Sequence, residues 1–288
     1  FIIADQTISG VKTAKEEFCA THVVVAVGRE GSNWLLNQCE KQHIPTEVGI
    51  VDIGIRLECR NEVMQEINEN FYEAKLVHYT HTFDDKVRTF CSNPGGFVSS
   101  EYYEGNLAVV NGHSYKNLKS DNTNFALLVS QKFTEPFNAP IEYGHHIARL
   151  ANMLTQNKIL VQRFGDLVRG RRTTSSRLYR NNIIPTLKDA VPGDLSLVLP
   201  KRHLDNIIEM IYALNKVAPG MTNDDTLLYG VEVKFYSARL EIDGNLETKI
   251  PNLFAIGDGA GITRGLSQAS ASGVYAARKI GERAAVKK

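Results

Sequence analysis

A chain of 288 residues that is 43% hydrophobic can fill a large core, in one big domain or two smaller ones. Its formal net charge of +1 gives no global electrostatic case for binding nucleic acid or an anionic membrane. The four cysteines Cys19, Cys39, Cys59 and Cys91 form no C-x-x-C pair, which removes the usual zinc and redox-dithiol signatures. Reduced thiols, no membrane-spanning apolar run and no signal peptide lead us to expect a cytoplasmic protein.

Phe1-Ile2-Ile3-Ala4 reads as the middle of a strand with no initiator Met before it, so the chain is expected to be a fragment of a longer protein. Residues 1–28 read as a strand, a turn near Ser9-Gly10 and a second strand ending in the run from Val23 to Gly28. That run is continuously apolar and rich in valine, as expected of a strand buried on both faces. Gly28 then allows a sharp turn. Residues 48–58 alternate as a strand through Val48, Ile50, Ile53, Ile55 and Leu57. Further strands are expected at 76–83, 86–91, 96–103 and 106–111, with turns at Pro94-Gly95-Gly96 and Glu104-Gly105-Asn106. Together they read as an antiparallel sheet. His78 and His81, three apart on such a strand, should face opposite sides and form no metal pair.

Helical spacing over 141–156 puts Ile147, Leu150, Ala151 and Leu154 on one face. Over 203–217 it does the same for Leu204, Ile207, Ile208, Ile211 and Leu214, with Pro219-Gly220 as the stop. The stretch 163–180 between them reads as a loop. It carries Arg163, Arg169, Arg171, Arg172, Arg177 and Arg180 against Asp166, a local charge of +5. This is either an anion site, with Arg171 and Arg172 its candidate contacts, or a solvated basic loop. Nucleic acid is not expected as its partner, because no aromatic stacking platform is interleaved. His113, after Asn111-Gly112 at a strand end, is either an acid or base near neutral pH or an ordinary surface histidine.

A hairpin turn at Asp243-Gly244-Asn245 leads to the strand Leu253-Phe254-Ala255-Ile256 and then to Gly257-Asp258-Gly259-Ala260-Gly261. A helix runs from there to about Ala285, with Leu266, Ala269, Gly273, Ala277 and Ile280 as its buried stripe. A strand, a glycine turn and a helix form a physical device. The helix start offers unpaired N–H groups and partial positive charge. Glycines admit a ligand close to the backbone, and Asp258 can accept hydrogen bonds from hydroxyls. The plain alternative is an ordinary turn with Asp258 as a helix cap. Ile262 breaks the G-x-G-x-x-G spacing, and the motif lies too near the chain end to open a βαβ unit.

Asn252-Leu253-Phe254-Ala255-Ile256-Gly257-Asp258 resembles the second FAD motif of the glutathione-reductase-like flavoproteins. Thr21-His22-Val23-Val24-Val25-Ala26-Val27-Gly28-Arg29 resembles the strand with which that family leaves its FAD domain. A closer resemblance, over nearly the whole chain, is to a poorly characterised group of bacterial FAD-dependent dehydrogenases. It rests on Val51-Asp52-Ile53-Gly54-Ile55-Arg56-Leu57-Glu58, Cys91-x-x-Pro94-Gly95-Gly96, Val110-Asn111-Gly112-His113-Ser114, Asn124-Phe125-Ala126-Leu127-Leu128 and Gly257-Asp258-Gly259-Ala260-Gly261. The family's N-terminal G-x-G-x-x-G and ribose-binding acid have no counterpart here.

The resemblance implies an α+β fold, with a partial FAD domain from residues 1–44 and 236–288 and a substrate domain from 45–235. It implies that Gly28, Arg29, Gly257, Asp258, Gly259, Ala260, Gly261, Gly265 and Leu266 contact FAD, with Asp258 on the ribityl chain. NAD(P)H is a candidate electron donor, and a small molecule the expected substrate, with His113, Arg171 and Arg172 its candidate contacts. No membrane partner and no metal are expected, and no catalytic acid, base or nucleophile stands out. A non-catalytic binding or structural module and an FAD-dependent RNA-modifying protein stay open as alternatives.

Overall fold

The computed structural model describes residues 1–28, 30–47, 51–103, 106–131, 133, 136–137, 139–235 and 239–286. The chain opens with β1 (Ile2–Ala4), β2 (Thr7–Lys12), β3 (Glu17–Cys19), β4 (Val23–Val25), α1 (Ser32–Lys41) and β5 (Thr46–Glu47). It continues through β6 (Val51–Arg60), α2 (Asn61–Asn70), β7 (Val77–Tyr79), β8 (Lys86–Asn93), β9 (Phe97–Tyr103), β10 (Leu107–His113) and β11 (Asn122–Gln131). Then come α3 (Pro140–Thr155), β12 (Leu160–Arg163), α4 (Phe164–Val168), α5 (Ser175–Tyr179), β13 (Val191–Pro192), α6 (Lys201–Leu214) and β14 (Leu227–Phe235). It closes with β15 (Arg239–Leu240), β16 (Leu253–Ala255) and α7 (Leu266–Val286). The fold is α+β. No helix among the described residues is long and apolar enough to cross a membrane. Contacts divide the chain into two compact units: residues 1–50 with 136–140 and 236–288, and residues 51–135 with 141–235.

In the first unit β1, β2 and β3 form an antiparallel meander, and β5 pairs with β15. The turn expected at Ser9-Gly10 lies instead at Asp5 and Gln6, both at positive φ. Gly10 sits inside β2, where a Cβ would come within 2.1 Å of the Phe18 carbonyl oxygen, so its task is close strand approach. β4 pairs in parallel with β16. Val25 is buried beside Leu35, Leu253 and Ala255, whereas Val24 is 43% exposed, so β4 is covered on one face only.

The second unit is built on a seven-stranded sheet in the order β13-β12-β14-β6-β11-β8-β7, antiparallel except for β12 with β13. In β6 the residues Val51, Ile53, Ile55, Leu57 and Cys59 join the large core that also holds Ile147 of α3 and Ile207, Met210 and Ile211 of α6. The alternate positions Asp52, Arg56 and Glu58 are buried as well. Alternation here therefore separates an apolar core from a buried polar layer, not core from water. Val48 and Ile50 lie outside the described residues. The expected continuous sheet from 76 to 111 divides: β8 pairs with β7 and β11, and β9 with β10 form a separate hairpin. β10 approaches the polar face, where a Cβ on Gly112 would lie 2.3 Å from Nη1 of Arg56.

The buried polar layer is held by hydrogen bonds. Arg56 donates from Nε and Nη2 to both carboxylate oxygens of Glu232, at 2.8 and 3.0 Å, and from Nη1 to Asn124 Oδ1 at 2.8 Å. Glu58 accepts from Tyr229, Thr186 and Asn122. Burial pushes the Glu58 carboxyl above its usual range, and those hydrogen bonds oppose the rise. The register of β14 against β6 shifts between Tyr229 and Glu232, which lets both side chains reach this one face.

The stretch 163–180 is not a plain loop, since it contains the end of β12 and the short helices α4 and α5. Asp166 is fully buried and accepts from Thr173 and Arg171, with Arg163 3.7 Å away. Arg163 also pairs with Asp225, and Arg169 with Asp224 at 2.8 Å. Both acids precede β14, which neighbours β12, so pairing across strands neutralises charge that local counting leaves over. On α3 the buried face runs through Ala148, Ala151 and Asn152, while Leu154 is exposed. Asn152 bonds the backbone N–H and C=O of Ala108, at 2.8 and 2.7 Å. His78 and His81 do come together, with ring centroids 5.9 Å apart, because β7 ends at Tyr79 and the chain turns before His81. Among the described residues, no three ligating side chains converge as a metal site.

His203 in the first turn of α6 is 2% exposed, and neither ring nitrogen has a hydrogen-bond partner. Desolvation lowers its pKa from 6.5 to about 4, against an opposing pull from Asp85. The folded protein binds this proton less well than the unfolded chain, so stability should be full above pH 6.5 and fall as pH drops toward 4. The loss should be on the order of 3 kcal/mol. Urea unfolding across this range should show the slope, and His203→Leu should flatten it. Glu232→Leu would strand Arg56 inside the sheet at a cost of roughly 3–5 kcal/mol. Arg56→Met should cost less, because Lys234 stays 3.0 Å from Glu232. Equal losses in the two variants would refute this account.

Candidate functional site

The site is built where β4 and β16 end together. Their register pairs Val23 with Leu253 and Val25 with Ala255, and the Ile256 N–H donates to the Val25 carbonyl at 3.0 Å. Beyond the strands both chains turn through glycine at positive φ, Gly28 at 67° and Gly257 at 75°. A Cβ on Gly259 would sit 2.0 Å from the Gly28 carbonyl oxygen. Only glycine at 259 permits this approach of the two turns.

Asp258 opens a short 3-10 turn, Asp258–Ala260, which Gly261 ends in the left-handed region. Its Oδ1 accepts from Thr263 Oγ1 at 2.5 Å and from the Gly265 N–H at 3.1 Å. Asp258 is thus a clamp on the loop leading into α7. The Arg264 N–H donates to Gln268 Oε1 at 3.0 Å, and the Gly257 N–H to Ser272 Oγ at 3.2 Å. The expected stripe on α7 is shifted. Ser272 and Ala276 are buried, Ala277 is exposed, and Leu266 is 92% exposed. The helix begins only at Leu266, so its first turn forms a lip and packing starts at Ala269 and Ser272.

A hollow of about 530 Å³ opens here, lined by Ala26, Gly28, Ile256, Gly257, Asp258, Gly265, Leu266 and Ala269. A Cβ added at Gly28 or Gly265 would meet nothing within 4 Å, and at Gly257 only Ala269 Cβ at 3.9 Å. Bare backbone therefore faces open space on three sides. The N–H groups of the first turn of α7 have no acceptor within the helix and carry its partial positive charge. Asp258 adds a carboxylate on the same rim. Open glycine backbone, helix-start donors and one hydroxyl acceptor fit a phosphate-bearing polyol, which is the chemistry of the ribityl and pyrophosphate part of FAD.

The structure thus brings together Gly28, Gly257, Asp258, Gly265 and Leu266. Gly259, Ala260 and Gly261 do not line the hollow: Gly259 sits against Gly28, Ala260 is buried, and Gly261 closes the turn. Arg29 lies outside the described residues. In the second unit His113 is exposed at the end of β10, its ring 4.6 Å from that of Tyr115. Arg171 is tied to Asp166, and Arg172 borders a separate hollow with Asp194 and Leu197. Sequence reasoning missed Thr263, Gln268 and Ser272, which hold the loop and the helix start. Hydroxyl and amide residues just before and inside a small-residue helix were the available signal.

These roles can be separated by alanine scanning of the glycines. Gly259→Ala should destabilise most, by roughly 1–3 kcal/mol or more from overpacking against backbone. Gly28→Ala meets nothing and should cost only about 1 kcal/mol of left-handed strain. The reverse ranking in urea unfolding would refute the close-approach role of Gly259.

A family model described as FAD-dependent protein, C-terminal domain-like, matches residues 51–235. An uncharacterized protein of Clostridium beijerinckii is 26% identical over 283 residues, an alignment taking in 91% of this chain and 51% of the relative. The chain therefore spans about half the length of the curated relative it matches. With well over half of its residues inside the family match, the chain belongs to the FAD-dependent proteins that carry this C-terminal domain.

Proposed function

We propose that the protein is part of an FAD-dependent oxidoreductase whose first unit holds the flavin through the hollow at the ends of β4 and β16. The observation that carries this reading is the convergence of open glycine backbone, Asp258 and the start of α7 on that hollow. The family match supports flavin dependence independently, because it falls on residues 51–235 and not on the hollow. The likeness of residues 252–258 and 21–29 to the glutathione-reductase-like flavoproteins supports the same reading.

Bound FAD would supply acceptance of a hydride or of single electrons, which no side chain provides. The chain's own part is positioning. Asp258, held by Thr263 and Gly265, would accept a hydrogen bond from a ribityl hydroxyl. The first turn of α7 would place partial positive charge beside an anionic ligand. Gly28, Gly257 and Gly265 would let it rest against backbone. A small-molecule substrate is assigned to the second unit, with exposed His113 and Arg172 as its candidate contacts, Arg171 being committed to Asp166. NAD(P)H as electron donor rests on the flavoprotein resemblance alone.

Expressed at its full natural length, the protein should bind FAD, seen as flavin absorption bands and fluorescence quenching on titration. Gly265→Val, which fills the open backbone, and Asp258→Ala should each weaken binding by roughly 10- to 100-fold, the value of one charge-assisted hydrogen bond or more. Gly281→Ala, exposed late in α7 with nothing within 4 Å, should leave affinity unchanged. Absence of flavin binding, or wild-type affinity in both site variants, would reject the reading.

A further inference from the structure

Two features of the second unit belong neither to the flavin hollow nor to the substrate candidates His113 and Arg172, and they complement each other. The first is a groove of about 520 Å³ whose apolar lining includes Leu178, Tyr179, Ile184, Pro185 and Pro192. Tyr179 is 91% and Ile184 68% exposed, an unusual display of large apolar surface around one groove. Residues 175–192, which build it, carry Arg177, Arg180 and Lys188 against the single acid Asp189.

The second feature is the end of α2. Phe71 is 62% exposed and Tyr72 projects fully into solvent. Residues 61–74 carry Glu62, Glu66, Glu69 and Glu73 and no Lys or Arg, and all four acids are exposed. An aromatic anchor on an acidic stem thus stands on the same unit as an apolar groove with a basic surround. Aromatic side chains seated in apolar pockets dominate association energies, while rim charges set partner and orientation.

The two features cannot satisfy each other within one copy. Met64 of α2 packs in the core on one face of the sheet. Leu178 and Ala190 beside the groove pack against the cluster on the other face, with Val161 and Tyr229.

We infer that the Phe71-Tyr72 tip of one copy of this chain docks in the groove between α5 and β13 of a second copy. The contact is head-to-tail, since tip and groove are different surfaces, and its rim is electrostatic. Added salt should therefore weaken the association.

Sedimentation of the 288-residue chain over a range of concentrations and salt tests this. The expected result is reversible self-association that rising salt weakens. Tyr72→Ser, at a fully exposed position that folding does not need, should weaken it by roughly 30-fold, the effect of losing one buried aromatic anchor. Two charge-reversed proteins give the sharper test: Glu66→Lys with Glu73→Lys on the tip, and Arg180→Glu with Lys188→Glu at the groove. Each alone should be monomeric, because tip and groove then carry like charge. Mixed in equal amounts they should associate again, each offering what the other lacks. A wild-type chain that stays monomeric at every concentration overturns the inference. So does reversal without loss of association, or a mixture that does not recover it.

Discussion

The carbonyl oxygen of Gly28 occupies the space where any residue but glycine at 259 would place its side chain. That one contact fixes how the two strand ends meet. A slip of one residue would bring Asp258 or Ala260 against the Gly28 carbonyl, and both carry a Cβ. The parallel register of β4 with β16 is therefore specified by the glycine turns beyond the strands as well as by the valines within them. With it set, Asp258 lines the hollow, where Thr263 and Gly265 hold it. The start of α7 is placed by the same loop. The open backbone at Gly28, Gly257 and Gly265 is thus a consequence of close packing at Gly259.

The second unit solves a different problem, that of charge inside a sheet. Removing a guanidinium and a carboxylate from water costs several kcal/mol per ion, and a pair offsets this only with good geometry and further hydrogen bonds. Arg56 has both, in its two-point contact with Glu232 and in Asn124 and the Cys91 carbonyl. The shift in β14 makes this possible. Residues 229 and 232, an odd number apart, would face opposite sides of a regular strand, whereas here both meet the polar layer. A slip of one residue in β14 would turn Glu232 to the opposite face and take its carboxylate away from the guanidinium. The ion pair therefore selects register more than it adds stability.

The sequence was most legible where one periodicity governs a segment. The apolar spacing of α6 delivers Leu204, Ile207, Ile211 and Leu214 to the core as read. The glycine-and-aspartate turn after β16 was visible because its residue types are costly anywhere else. The central strands β11 and β14 were not read as strands from pattern. Asn122, Asn124 and Glu232 interrupt their apolar runs, and only the buried network on the facing strands explains why these residues are there. Gly10 looked like a turn because a turn and a close strand approach ask for the same residue. The arginine stretch stays open between an anion site and a solvated loop in the sequence, because the acids that pair with Arg163 and Arg169, Asp225 and Asp224, are remote in sequence and near only across the β12–β14 pairing.

A helix cap and a ligand contact place opposite demands on a carboxylate, which bears on what Asp258 can do. A capping side chain turns inward to the first helical N–H groups and would shield the very donors that a ligand needs. Asp258 accepts from Gly265, one residue ahead of α7, and from Thr263, both in the loop before the helix. The loop is held by bonds that a bound molecule need not supply. Under the flavin reading this is preorganisation: the carboxylate and the helix start stand in position beforehand, and less of the binding free energy is lost to ordering them. The exposed Leu266 fits the same logic. Its 92% exposure is unfavourable for an isolated surface leucine and sensible for the lip of a site whose ligand would cover it.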